Sequence, residues 1–198
     1  MQIFYWVFLI IIFFATLPFI GGIALVVALT SGFPIFFRQK RVGKNGKMFT
    51  IYKFRTMIPG APSMQKKLYH LNEAHGPAFK LYNDPRYTRV GKFLAHTGLD
   101  ELPQLYNVLA GDMALLGPRP LPRPEERKLK VWQKTRESIK PGILSPWILE
   151  GYHQTTFDAW MRSDISYIKK KSFWYDLWLL ARMIVLVGSL IGREIVGG

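Results

Sequence analysis

Leu99-Asp100-Glu101-Leu102-Pro103-Gln104-Leu105-Tyr106-Asn107-Val108-Leu109 holds the residues best placed to do chemistry, and the chain runs on through Gly111-Asp112-Met113 to Gly117-Pro118-Arg119-Pro120. Two adjacent carboxylates fall at the start of a predicted helix over Glu101–Leu109. A helix N-terminus carries unpaired N–H groups and partial positive charge, which favour phosphate and keep a nearby carboxylate ionised. An ionised Asp can attack phosphorus, and a neighbouring carboxylate can hold Mg²⁺, which takes one or two protein carboxylates plus phosphate oxygens. Arg119 offers a planar fork of donors for phosphate, and Pro118 and Pro120 restrict its backbone. Asp and Glu in a first helical turn are also ordinary capping residues. Spacing alone leaves both readings open.

The elements around this stretch follow from patterning. Residues 3–29 are uncharged and rich in Ile, Leu, Phe and Val, and about 20 such residues cross a hydrocarbon core. Pro18 interrupts the run and Gly21-Gly22 follow it. A kinked spanning helix and a helix broken at Pro18 that re-enters one leaflet both fit. Residues 35–42 and 48–54 read as strands joined by Gly43-Lys44-Asn45-Gly46-Lys47, which holds the Asn-Gly turn signal. Lys53 and Arg55, two apart, share a face. Further helices are expected over 63–73 with Ser63 as cap, 88–95, 125–138 as a solvated charged helix, and 157–171, with Gly111 ending the helix of the acid pair. Residues 173–190 form a Trp- and Leu-rich segment interrupted by Asp176 and Arg182. It suits the bilayer interface, with a buried helix or a second membrane pass as alternatives.

The 198 residues suffice for one domain with a core. There is no cysteine, which excludes disulfides and cysteine-based metal or redox chemistry. The four histidines are scattered, and His70 and His75 suit solvated or packing roles better than zinc. Net charge is +14; no acid precedes Glu73, and no charge of any kind precedes Arg38. An apolar opening followed by purely basic chain fits a membrane segment set against anionic lipid on the cytoplasmic side. Nucleic acid would explain the basic charge but not the apolar opening, so it is not expected as a partner.

The acid-pair stretch resembles the catalytic segment of the bacterial sugar transferases, the monotopic phosphoglycosyl transferases. The resemblance extends through Gly-Asp-Met and Gly-Pro-Arg-Pro, and upstream to Tyr52-Lys53-Phe54-Arg55-Thr56-Met57, Asn72-Glu73-Ala74, Gly76-Pro77-Ala78-Phe79-Lys80, Asn83-Asp84-Pro85-Arg86 and Thr88-Arg89-Val90-Gly91, nearly the whole chain from Arg38 on. It implies a mixed α and β, mostly helical, membrane-embedded monotopic fold. Residues 1–37 would form the Pro18-broken re-entrant helix, and residues 38–198 a catalytic unit with a small β-hairpin and amphipathic interfacial helices on the cytoplasmic face of a bacterial inner membrane. The implied reaction moves a sugar-1-phosphate from a UDP-sugar to polyprenyl (undecaprenyl) phosphate, opening surface glycan or exopolysaccharide synthesis. Asp100 is implied as the nucleophile, Glu101 as the Mg²⁺ ligand, and Arg119 between Pro118 and Pro120 as the phosphate or nucleotide holder, with Lys53, Arg55, Arg89 and Lys140 as further cations. Where the family commonly has arginine, this chain has Ala95, His96 and Tyr152. A relative that binds nucleotide-sugar or anionic lipid at the membrane without efficient turnover is the alternative.

Overall fold

A computed structural model describes residues 2–73, 76–150 and 156–196. The protein is mostly helical, with a small two-stranded antiparallel sheet and one apolar N-terminal helix. Helix α1 (Gln2–Ser31) leads into strands β1 (Phe36–Val42) and β2 (Met48–Phe54), then helices α2 (Ala61–Leu68) and α3 (Arg89–Thr97). A 3₁₀ turn (Leu99–Gln104) runs directly into α4 (Leu105–Leu109). Strand β3 (Ala114–Leu116), α5 (Arg123–Glu126), a 3₁₀ segment (Val131–Ser138), β4 (Gly142–Leu144), α6 (Phe157–Lys170) and α7 (Phe173–Val196) complete the order.

Helix α1 continues through Pro18 as one element, so the expected division into two helices there is not seen. Proline removes one helix hydrogen bond, and the apolar turns on either side maintain the rest. Within it, Leu9–Ser31 has a mean hydropathy of 2.6, making α1 the one described helix long and apolar enough to cross a membrane. Leu9 packs with Phe49, Ile51, Val108 and Met113, while Val27 packs with Phe54 and Leu94. The globular body therefore holds α1 on both sides of Pro18. Burial of these side chains removes apolar surface from water at about 25 cal/mol per Å².

The hairpin forms as the sequence indicates. Asn45 (φ 55°) and Gly46 (φ 76°) are both left-handed, and Lys47 N–H donates to Lys44 O at 3.1 Å. That is the backbone an Asn-Gly turn between twisted strands favours. Strands β1 and β2 pair from Phe36↔Phe54 to Val42↔Met48. Asn107 then clasps β2 from α4: its Nδ2 donates to Thr50 O at 2.7 Å and its Oδ1 accepts from Tyr52 N–H at 3.3 Å. This buried amide fixes the acid-pair segment against the hairpin.

Three expectations need correction. Helix α2 begins at Ala61 after Gly60 (φ 79°), not at a Ser63 cap; the Ser63 hydroxyl instead donates to Gly60 O at 2.7 Å. Residues 125–138 do not form one solvated helix: α5 stops at Glu126, and the later 3₁₀ segment buries Gln133 and Arg136. The acid pair does not sit in an α-helix from Glu101; Pro103 lies inside the 3₁₀ turn and α4 starts only at Leu105. Helix α3 is capped by Thr88, whose Oγ1 accepts from Gly91 N–H, and Gly111 (φ 82°) ends α4 as expected.

Candidate active site

Asp100 and Glu101 line a cleft of about 1530 Å³. Gly98 (φ 75°) turns the chain out of α3 and presents both carboxylates in one 3₁₀ turn. Lys53, from the end of β2, lies 3.4 Å from Asp100 Oδ2 and pairs closely with Glu101 Oε1. Arg119 Nη1 donates to the same Glu101 oxygen at 2.8 Å. One lysine thus bridges both acids, and Arg119 adds a second cation hydrogen-bonded to Glu101.

That asymmetry separates the two acids. Burial pushes the Asp100 carboxyl above its ordinary 3.8, more than Lys53 and Arg119 pull it down. Burial acts on Glu101 as well, but Arg119 and Lys53 outweigh it and hold that group at about 2. The pair therefore offers one acid that is securely ionised and one that burial makes more basic, the poise a carboxylate nucleophile needs.

Arg119 is held by its backbone. Arg136 Nη2 donates to Arg119 O at 2.6 Å, and Arg41 Nη1 donates to Pro120 O at 3.0 Å. Arg136 is itself fixed by Asp164 at 2.7 Å and by the Trp160 ring at 5.6 Å. The Gly-Pro-Arg-Pro turn also docks on residues 140–142 through paired glycines. Gly142 N–H donates to Pro118 O at 3.0 Å, and a Cβ on Gly142 would lie 2.1 Å from Gly117 N. Only glycine permits that approach.

The cleft gathers some expected residues and leaves others out. Asp100, Glu101, Lys53 and Arg119 come together on its wall. Arg55 also borders it, but its guanidinium donates to Ser31 O, to Gly32 O at 2.7 Å and to Phe33 O at 2.8 Å, which satisfies the carbonyl end of α1. Pro118 is buried behind Arg119, and Pro120 borders a small pocket beside Glu101 and Gln104. Arg89 and Lys140 are exposed and outside the cleft lining. His96 is buried, stacked on Tyr82 at 4.1 Å and bonded to Glu194 of α7 at 2.9 Å, so it ties α3 to α7. Ala95 borders the cleft; Tyr152 and His75 lie outside the described residues.

Sequence reading did not single out Arg41, Lys80 or Arg136. Arg41 had a signal: Arg41↔Phe49 and Phe37↔Lys53 pairing puts it on the Lys53 face of the hairpin. Arg136 had none, because its partner Asp164 is 28 residues away.

A profile of the bacterial sugar transferases matches residues 1–189. The chain belongs to that family. It is 45% identical over 161 residues to a galactosyl transferase of Streptococcus agalactiae serotype III, covering 80% of this chain and 36% of the relative. It is 38% identical over 161 residues to an undecaprenyl-phosphate galactose phosphotransferase of Salmonella typhimurium, covering 79% and 34%. A UDP-glucose:undecaprenyl-phosphate glucose-1-phosphate transferase of Escherichia coli is 36% identical over 168 residues, covering 81% and 34%. The chain spans about a third of the length of these curated relatives.

Proposed function

We propose that this sugar transferase family member moves a sugar-1-phosphate from a UDP-sugar to a polyprenyl phosphate, through a phosphosugar carried on Asp100. The observation that carries this reading is the cleft itself. Its lining holds two carboxylates in contact with Lys53 and Arg119, together with apolar residues of α1 and α7, Ile12, Ile184 and Val187 among them, and Phe33 just after α1. A charged phosphate and a hydrocarbon tail can thus meet the same acid pair. The names of the relatives from Salmonella and Escherichia coli, which act on undecaprenyl phosphate, support the same chemistry.

In this mechanism the Asp100 carboxylate attacks the sugar-bearing phosphorus of the donor. The new carboxyl–phosphorus bond forms as the bond to the bridging oxygen breaks, and UMP leaves with the electron pair. The phosphate of the lipid acceptor then attacks the same phosphorus and frees Asp100. Lys53 orients Asp100 from 3.4 Å, and Arg119 holds phosphate oxygens.

Among the described residues, no cluster of three or more His or carboxylate groups offers a metal site by itself. The acid pair nevertheless fits Mg²⁺, which completes its shell with substrate phosphates and water. Glu101 would hold the ion, being ionised throughout the working pH range. When bound, the ion would screen the charge of the diphosphate. Placement of α7 in the bilayer interface, with Phe173, Trp174 and Val185 exposed, belongs to the same proposal, as does a cytoplasmic-face location in the inner membrane.

The test is UMP release by the purified chain in detergent with Mg²⁺, polyprenyl phosphate and a panel of UDP-sugars. Without acceptor, about one UMP per chain should appear, with a mass gain on Asp100. Absence of UMP release with every donor would remove the reading.

A further inference from the structure

Helix α7 forms one wall of the cleft, and few side chains hold its second half in place. Leu179 and Met183 are its buried residues, and none of its described residues after Met183 is buried. Met183, Ile184, Leu186, Val187 and Leu190 nonetheless line the cleft that Asp100 and Glu101 border. That wall is apolar and open, and covering it with hydrocarbon removes it from water. A polar tether lies at the far end: Glu194 stands about three turns past Met183, about 16 Å along the helix.

Glu194 Oε1 lies 2.9 Å from Nδ1 of His96, a residue of α3 that also borders the cleft. The other ring nitrogen, Nε2, lies 2.9 Å from Tyr82 O. A carbonyl oxygen only accepts, so Nε2 carries the hydrogen of that bond. An ionised carboxylate also only accepts, so a proton stands between Nδ1 and Glu194, carried by one partner or the other. Packing holds the ring in this orientation. The His96 side chain is 5% exposed, it stacks on Tyr82 at 4.1 Å, and the Tyr87 ring meets it edge-on at 6.0 Å. Tyr82 N–H in turn donates to Glu73 Oε2 at 2.9 Å. Glu194 lies outside residues 1–189, the stretch that the family profile matches.

We propose that His96 is a positioning residue for the lipid acceptor. Clamped between Tyr82 O and Glu194, it holds the second half of α7 in place as the wall along which the polyprenyl chain lies while its phosphate reaches Asp100. The proposal rests on the reading in which a sugar-1-phosphate passes to a polyprenyl phosphate, and it assigns the acceptor, not the donor, to α7. The donor loads Asp100 before the acceptor is needed. A loosened α7 therefore leaves the first step intact and weakens binding for the second. An acceptor that binds only the docked form has an apparent affinity scaled by the docked fraction.

Glu194→Ala tests the clamp, because that side chain is 24% exposed near the end of α7 and its loss opens no core. In the full chain in detergent, hydrogen exchange over residues 184–192 should rise about tenfold or more in Glu194→Ala. It should return in Glu194→Gln, whose amide N–H donates to Nδ1 of a neutral ring. In UMP release, Glu194→Ala should raise KM for polyprenyl phosphate about fivefold or more, with the acceptor-free UMP burst and KM for the UDP-sugar unchanged. Glu194→Gln should restore the acceptor KM. Unchanged exchange in Glu194→Ala, no return in Glu194→Gln, or an unchanged acceptor KM overturns the proposal. So does loss of the acceptor-free UMP, which would mean that the pair holds the acid-pair segment and not the acceptor wall. Absence of UMP release from the wild-type chain with every donor defeats the transfer reading, and the acceptor role with it, while hydrogen exchange still decides the clamp.

Discussion

Burying the Asp100 carboxylate raises its pKa above 3.8, and the cations on Glu101 lower that group from 4.5 to about 2. The two shifts have opposite consequences for folding. The Glu101 contribution is complete above its ordinary 4.5 and fades as pH falls toward 2. Asp100 opposes folding while ionised, and the opposition is relieved as pH falls through its raised value. Asp100→Asn should therefore abolish turnover, by about 10⁴-fold or more, while raising the melting temperature at neutral pH. Glu101→Gln should lower stability by roughly 1–3 kcal/mol, since Lys53 and Arg119 lose their common counter-charge. Thermal melts of the purified variants check both signs. In kcat/KM, the acid limb should lie above 3.8, and Lys53→Met should move it higher, because Lys53 is the first charge that favours the ionised form. A limb that moves lower would contradict the pairing. At this scale the sequence made legible which residues gather, since Asp100, Glu101, Lys53 and Arg119 meet in one cleft, and their roles there belong to the proposal. It did not show that Arg55 meets the carbonyls at the end of α1, since a cation near a phosphate motif looks the same in sequence whichever partner it has.

Elements were legible where local chemistry determines them. The Asn45-Gly46 turn, the Thr88 cap and Gly111 each act within a few residues, and β1, β2, α3 and α6 fall within a residue or two of their expected bounds. The parallel pair β3–β4 was not foreseen. It joins Ala114 to Gly142 and Leu116 to Leu144, and two three-residue strands carry too little pattern to be seen. That pair nonetheless positions Arg119, through the contact of Gly117 with Gly142. Gly142→Ala places a methyl against the backbone of Leu116 and Gly117, where no flexible side chain can give way. It should cost about 1–3 kcal/mol or more and shift the Arg119 turn. UMP release should fall with little change in far-ultraviolet circular dichroism. Retention of full activity and melting temperature would show that the turn is positioned by Arg136 and Arg41 alone.

At the scale of the whole molecule, the apolar opening was legible and its path was not, because hydropathy reports length and not direction. A straight α1 would put Leu9 and Val27, each nine residues from Pro18, about 27 Å apart. Both are nonetheless buried against the same body, at 2% and 1% exposure. Arg55 fixes the C-terminal end of α1 to the strand that carries Lys53. A helix that crossed the bilayer upright would carry Leu9 away from Phe49 and Ile51. We therefore expect both ends of α1 on one side of the membrane, the side where Arg38, Lys40, Arg41, Lys44 and Lys47 favour the cytoplasm. The chain has no cysteine, so Gln2→Cys and Lys44→Cys each provide one labelling site. In spheroplasts, neither should react with an impermeant maleimide until the membrane is opened. Reaction of Gln2→Cys alone from outside would mean that α1 spans the bilayer, and that the packing of Leu9 on the hairpin gives way in lipid. Leu9→Asp separates the contact from the topology. If Leu9 holds α1 against the hairpin, the aspartate should loosen the hairpin and reduce UMP release even where labelling is unchanged. If activity is intact, the contact is incidental to the site.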